Sequence, residues 1–164
     1  MTLATVDIDP QALRACCGRF ATGVTVVTTR TPESDHGMTI SAFMSVSLDP
    51  PLVCISVGTG SRMLPKLRAS GRYAVNILAE DMRAHALHFA GRPDAALSDL
   101  FARHEDLPVL RGAAAVIVTR VVQEVEVGDH VLVIGRVAHL EQSPTARPLL
   151  HHAGRFGGVS AHAA

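Results

Sequence analysis

The sequence predicts a mainly β fold with flanking helices, an antiparallel barrel or curled sheet, on three observations. Residues 24–29 and 52–57 are short runs dominated by β-branched and apolar side chains. Residues 113–127 and 130–140 are two long β-rich runs separated only by Gly128-Asp129, a turn pair, and so read as a strong hairpin. Hairpin-length connections outnumber helical crossovers, which argues against a doubly wound parallel sheet.

Each element follows from local chemistry. Asp9-Pro10 offers an N-cap and a first-turn proline, and Leu13, Cys16, Cys17 and Phe20 fall on one face of a short amphipathic helix ending near residues 18–23. Residues 24–29 form the first strand, residues 31–37 a polar turn, and residues 38–47 one further extended run. Asp49-Pro50-Pro51 breaks the chain before a strand at 52–57. A helix is expected over 61–70, punctuated by Gly71, then a strand at 73–78. Glu80 and Asp81 put negative charge in the first turn of another helix, with Met82, His85, Ala86 and Phe89 as its inward stripe. Residues 91–111 read as a polar, proline-punctuated connection with room for one helical turn, and the tail after Gly154 as loose.

Composition narrows the classes of function. A chain of 164 residues suits one domain, here taken as 1–164 with its core at about 11–157. The net charge of +0, from 15 basic and 15 acidic residues, argues against nucleic acid or an anionic membrane as partner. Hydrophobic residues at 48% against 18% charged are apolar for a small monomer, so a surface shared with a second subunit is expected. No apolar run approaches the roughly 20 residues of a membrane helix. Residues 1–10 carry Asp7 and Asp9 and no basic region before an apolar run, unlike a secretory signal. Cys16, Cys17 and Cys54 lack CxxC spacing and read as reduced, mostly buried thiols of a cytoplasmic protein.

The segment from Leu52 to Glu80 imitates a dinucleotide fingerprint, with Gly58-Thr59-Gly60 between strand and helix. Met63 stands where the third small residue is needed, and the flanking hairpins do not continue a parallel sheet. Thr59, Gly60 and Ser61 nevertheless open a helix whose free amides favour an anion, and Arg62 adds fixed charge, which together suit a phosphate. The same residues also read as a serine N-cap beside a solvated arginine. His85 with His88, and His151 with His152, do not supply the three or four convergent ligands of a zinc site, so no metal is expected. No GxSxG element or paired nucleophile and base is apparent. A hydride-transfer site asks for less, because the cofactor does the electronic work while the protein aligns flat rings and holds phosphate.

Four ordered blocks carry a more specific signal: Phe20-Ala-Thr-Gly-Val-Thr-Val-Val27, Gly37-Met-Thr-Ile-Ser-Ala-Phe-Met-Ser-Val-Ser-Leu-Asp-Pro-Pro51, Tyr73-Ala-Val-Asn76 and Gly128-Asp-His-Val-Leu-Val-Ile-Gly135. Together, from about Leu13 to Phe156, they resemble the flavin reductase domain family, the small reductases that serve two-component flavin monooxygenases. The resemblance implies an FMN-binding split β-barrel of antiparallel Greek-key type, a homodimer, and flavin near the dimer interface. It implies that Met38, Thr39, Ile40, Ser41, Ala42, Ser45, Val46 and Ser47 line the flavin ring and ribityl chain, largely through backbone groups and short hydroxyls. It places Thr59, Gly60, Ser61 and Arg62 near the flavin phosphate, and gives His130 a positioning role on the nicotinamide side. In the closing segment His151 stands where relatives often have tyrosine, which leaves Phe156 as the aromatic surface for nicotinamide.

The implied activity is reduction of FAD or FMN by NADH or NADPH, with reduced flavin diffusing to a partner monooxygenase or halogenase. Two alternatives stay open at this level: a split-barrel oxidase that retains its flavin and acts on a small molecule such as a pyridoxamine phosphate, and a non-catalytic flavin-binding protein.

Overall fold

The computed structural model describes residues 7–160. The readings of the extreme N-terminus and of the end of the tail therefore fall partly outside the described residues. Helix α1 spans Pro10–Cys17, and the Asp9 carboxylate accepts from the amides of Gln11 and Ala12 at 3.3 and 3.0 Å. Its capping is as the sequence predicts, but its apolar stripe is not packed into the core: none of its residues is buried. Cys16 and Cys17 are consequently exposed and only Cys54 is buried, a correction to the expectation of mostly buried thiols.

The strands follow in order. β1 is Thr22–Gly23, β2 Thr25–Arg30, β3 Asp35–Ile40, β4 Phe43–Leu48 and β5 Pro51–Gly58. Helix α2 (Met63–Ser70), β6 (Arg72–Ile77) and helix α3 (Arg83–Phe89) come next. They lead to β7 (Phe101–His104), β8 (Leu107–Leu110), β9 (Ala115–Val127), β10 (His130–Gln142), β11 (Leu150–His152) and β12 (Arg155–Gly157). Seven strands form one antiparallel sheet in the order β3-β2-β6-β9-β10-β5-β4.

This order has a geometric consequence. β3 and β4 are the two outermost strands, yet only Ser41 and Ala42 separate them in sequence. Three peptide units reach at most about 11 Å. The sheet must therefore curl until its edges approach, which yields a barrel with an open seam between β3 and β4.

Several expected elements change form. The extended run at 38–47 is two strands, because the chain must cross the seam at Ser41-Ala42; the preceding turn is shorter and closes through reciprocal backbone bonds between Thr31 and Ser34. Residues 91–111 hold the β7–β8 hairpin rather than a helical turn, and Leu107, Val109 and Leu110 are buried beneath it, an apolar alternation that the surrounding polar residues hid. The tail is ordered in part: β12 pairs with β11, and β11 with β1. Glu80 and Asp81 precede the first turn of α3 rather than lying in it.

The barrel interior holds Val27, Ile55, Val57, Tyr73, Val75, Val131 and Val133, closed at one side by Met63, Leu64 and Leu67 of α2. The polar atoms of the Tyr73–Asn76 block are satisfied inside it. The Tyr73 hydroxyl donates to the Val133 carbonyl at 3.3 Å. The Asn76 amide donates to Val26 and Thr28, and its carbonyl accepts from the Leu110 amide at 2.7 Å. Both side chains are fully buried, so each bond removes a penalty that an unpaired polar group would carry.

Gly135 lies where β10 shifts register against β9, and a methyl group there would stand 2.6 Å from the Tyr73 hydroxyl and 2.7 Å from Thr119. Gly135→Ala should therefore destabilise the protein by about 1–3 kcal/mol through overpacking. Urea unfolding would register this as a lower midpoint, and an unchanged midpoint would show that the interior yields at that spot.

Candidate functional site

One end of the seam gathers three segments distant in sequence. The Ser56 amide donates to the Ala42 carbonyl at 3.1 Å, which holds the Ser41-Ala42 crossing against β5. Where β5 ends, Gly58 is the register partner of His130, and the Thr59 amide donates to the Asp129 carbonyl at 2.9 Å. The Ser61 hydroxyl, just beyond, donates to the thioether of Met38 on β3 at 3.3 Å. The crossing, the turn at 58–62 and the turn at 128–130 thus share one rim.

β3 is flanked on both faces. Met38 and Ile40 turn inward against the cluster that includes α2, while the Thr39 hydroxyl donates to the Ala86 carbonyl of α3 at 2.7 Å. Gly37 leaves no room for a side chain, since a methyl there would meet the Phe89 ring at 2.6 Å. Only the outer edge of β3 remains open, because β2 occupies the other. Met38, Thr39 and Ile40 therefore present backbone rather than side chains to a ligand, and the Thr39 hydroxyl is engaged in fixing α3. Ser41 and Ala42 are exposed on the crossing.

Ser45, Val46 and Ser47 do not join this group. They run along β5 toward Pro51, with Ser45 opposite Val53 and Ser47 opposite Leu52, and a register shift displaces Val46. Phe156 is also apart. It packs with the cluster of Val24, Val26, Leu78 and Leu149, beside the flank of α3 that carries Arg83 and Leu87.

His130 Nδ1 lies 2.7 Å from a carboxylate oxygen of Asp129. The hydrogen bond from His130, aided by its charge, holds the Asp129 carboxyl below the usual range. An ionised carboxylate only accepts, so Nδ1 donates to it. Nε2 faces Gly58, where a Cβ would lie 3.9 Å away.

The turn at 58–62 suits an anion in part. Ser61 Oγ accepts from the Met63 amide at 3.1 Å in the turn before α2, whose N-cap position is Arg62 rather than Ser61. Thr59 donates its hydroxyl to the Asp129 carbonyl, Gly60 borders open space, and Arg62 has no carboxylate partner among the described residues. Arg62 is one turn from Lys66, and both cations act on His36 of β3, whose pKa falls from burial first and from those two charges next. His36 and Lys66 were missed in the sequence, although the i,i+4 spacing of Arg62 and Lys66 on a helix was a usable signal.

His85 was also missed as a site residue. The sequence put it on the inward stripe of α3, but Met82 and Ala86 fill that stripe and His85 is half-buried away from the cleft lined by Arg83 and Leu87. Its Nδ1 is buried without a hydrogen-bond partner, and burial depresses its pKa. His88 is different, with its Nδ1 accepting from the Asp94 amide at 3.0 Å. An open strand edge and, on the turn at 58–62, an arginine without a carboxylate partner among the described residues fit a flat, hydrogen-bonding ring with a phosphate tail, as a flavin has.

Comparison with known proteins gives the family. The flavin reductase like domain model matches residues 17–160. The chain is similar to an NADH-dependent flavin reductase of a Rhodococcus species, at 41% identity over 163 residues covering 95% of this chain and 92% of that one. It is similar to the reductase component of a 4-hydroxyphenylacetate 3-monooxygenase of Thermus thermophilus, at 38% identity over 86% of this chain and 91% of that one. Among solved structures it is similar to the flavin reductase PheA2 in its native state, with a TM-score of 0.89 and 42% identity over 94% of this chain and all of that one. It is also similar to an NADH:FAD oxidoreductase of Streptomyces globisporus in complex with NAD and FAD fragments, with a TM-score of 0.87 and 33% identity over 96% and 98% of the two chains. With this sheet order, this seam and these matches, the chain belongs to the flavin reductase like domain family.

Proposed function

We propose that this protein is an NADH-dependent flavin reductase that takes FAD or FMN as an exchangeable substrate and releases reduced flavin to a separate oxygenase or halogenase. The observation that carries the reading is the Asp129–His130 pair, which sets the His130 ring, with its Nε2, beside the turn at 58–62. When bound, the flavin accepts two electrons and NADH donates them as hydride.

The chain's own groups then have distinct tasks. Arg62 and Lys66 hold the flavin phosphate by charge. The open backbone of β3 and the Ser41 hydroxyl offer hydrogen bonds along the flat ring. His130 Nε2 accepts from the carboxamide of the nicotinamide and fixes its angle, which is positioning and not proton transfer. None of these groups is a nucleophile or a strong acid, as expected where alignment carries most of the rate.

Anaerobic mixing with NADH and a large excess of flavin tests the reading. Catalytic bleaching over many turnovers is expected, and comparing FAD with FMN and NADH with NADPH identifies the preferred pair. Reduction of a single equivalent of retained flavin would favour an oxidase, and no reduction a binding protein.

A homodimer is part of the proposal. β4 is an edge strand whose Met44, Val46 and Leu48 are 55%, 45% and 93% exposed. Apolar side chains along an open edge favour a partner surface. Leu48→Asp should shift the sedimentation of the protein from dimer to monomer. A wild-type protein that sediments as a monomer while reducing flavin at full rate would remove the dimer from the proposal.

A further inference from the structure

Two cysteines stand side by side at a place that the site above does not use. Cys16 and Cys17 end helix α1 and are both exposed, whereas Cys54 is buried and burial raises its thiol pKa. Reaction of thiols with solutes therefore falls to the adjacent pair. Neighbouring Cα atoms are about 3.8 Å apart, closer than the roughly 4.4–6.8 Å of most disulfides, so these two thiols join only if their backbone leaves helix geometry. α1 yields readily in that way. It has 8 residues, none of them buried, and a helix so short is marginal without packing.

The end of α1 is joined to the closing hairpin. The Gly18 amide donates to the Arg14 carbonyl at 2.9 Å, and the Arg19 and Phe20 amides donate to the Cys16 and Cys17 carbonyls at 3.0 Å. The Gly18 carbonyl in turn accepts from the Ala153 amide at 2.9 Å, and Ala153, with a φ of 48°, lies in the turn between β11 and β12. A few residues further on, β1 pairs with β11, Thr22 opposite His151. Opening the last turn of α1 breaks the bonds to the Cys16 and Cys17 carbonyls and moves the group that anchors Ala153, so a change at the pair reaches the hairpin.

We infer that Cys16 and Cys17 form a peroxide-responsive modification site, closing to a disulfide between adjacent residues that loosens the β11–β12 hairpin and slows the reductase. The source of oxidant rests on the reductase reading: reduced flavin that no oxygenase consumes passes two electrons and two protons to dioxygen and forms hydrogen peroxide. One thiolate attacks the peroxide, keeps one oxygen as a sulfenic acid and releases hydroxide. The neighbouring thiol then attacks that sulfur, the S–S bond forms, and the oxygen leaves as water. Two thiols lose two electrons and two protons, and one peroxide becomes two waters. The pair thus slows flavin reduction when reduced flavin outruns its consumer.

The test is treatment of the full-length protein with a small excess of hydrogen peroxide. The intact mass should fall by two hydrogens, peptide mapping should place the bridge between Cys16 and Cys17, and the thiol of Cys54 should remain free. NADH oxidation should drop several-fold and recover with dithiothreitol. In air with excess flavin, the progress curve of the untreated protein should bend downward and straighten when catalase is added. The double variant Cys16→Ser, Cys17→Ser should match the untreated wild type in circular dichroism and in initial rate, and should keep that rate after peroxide. Three free thiols after treatment, a bridge between two chains on non-reducing electrophoresis, a disulfide formed without loss of rate, or equal inactivation of the double variant would each overturn the inference. An untreated wild type that fails to oxidise NADH would sink the reductase reading, while the thiol count and the peptide map would still judge the modification site.

Discussion

His130→Ala lowers the rate of flavin reduction at saturating NADH by about 10–100-fold, because hydride transfer depends steeply on ring alignment and a misplacement near 1 Å can cost about two orders of magnitude. Flavin affinity should change less than twofold, since the side chain faces Gly58 and not the cations that hold phosphate. The fold should also survive: His130 is exposed, its only side-chain bond among the described residues is to Asp129, and the hairpin around it is held by backbone pairing. Asp129→Asn should fall between wild type and His130→Ala, because an asparagine amide can donate to Nδ1 and draw the ring proton to Nε2. Stopped-flow mixing of flavin-loaded protein with NADH, beside a direct flavin titration, reads both quantities. Unaltered reduction by NADH in His130→Ala would reduce that residue to an ornament of the turn.

The fold was legible where pattern and topology agree. The hairpin of β9 and β10 follows from two β-rich runs around Gly128-Asp129, and the structure places strands over Ala115–Val127 and His130–Gln142. What pattern could not show was the seam. Residues 38–47 keep an extended composition throughout, and only the pairing of β3 with β2 and of β4 with β5 reveals that the chain changes sheet edge at Ser41-Ala42. The β7–β8 hairpin was hidden for another reason: Leu107 and Val109 are buried in a cluster with Ala74, and Leu110 in one with Val24, Val26 and Leu78, all far away in sequence. Tertiary contact, not local propensity, makes that segment a strand.

Site residues were legible in proportion to how much of their role is local. His130 follows from its turn, and the Asp129 beside it in sequence is its partner in space. Thr39 illustrates the opposite case, because its hydroxyl looked available in the sequence and is taken by a carbonyl 47 residues away. Ser45, Val46 and Ser47 share a motif with Thr39 and part from it across the seam. His36, Lys66 and His85 needed the packing of α2 and α3 on either face of β3 before they could be recognised. The Tyr73–Asn76 block, part of the family resemblance, serves the interior and not the site.

Arg62→Ala should raise the Michaelis constant for FMN by about tenfold or more and leave the maximal rate within about twofold. A cation that grips a phosphate does so equally before and during hydride transfer, so its loss weakens binding without altering the barrier from the bound state. Arg62 is free to act in this way because no carboxylate neutralises it among the described residues. Its helix neighbour Lys66 shares the load, so Lys66→Ala should show a smaller effect of the same kind. Riboflavin provides the decisive control, since it carries the same ring and no phosphate: wild type and Arg62→Ala should bind it alike. Added salt should narrow the gap between the two proteins for FMN, because screening weakens an exposed ionic contact. An equal loss of affinity for riboflavin and FMN would mean that Arg62 shapes the ring site and not the phosphate site, and an unchanged constant for both would remove it from the flavin site altogether.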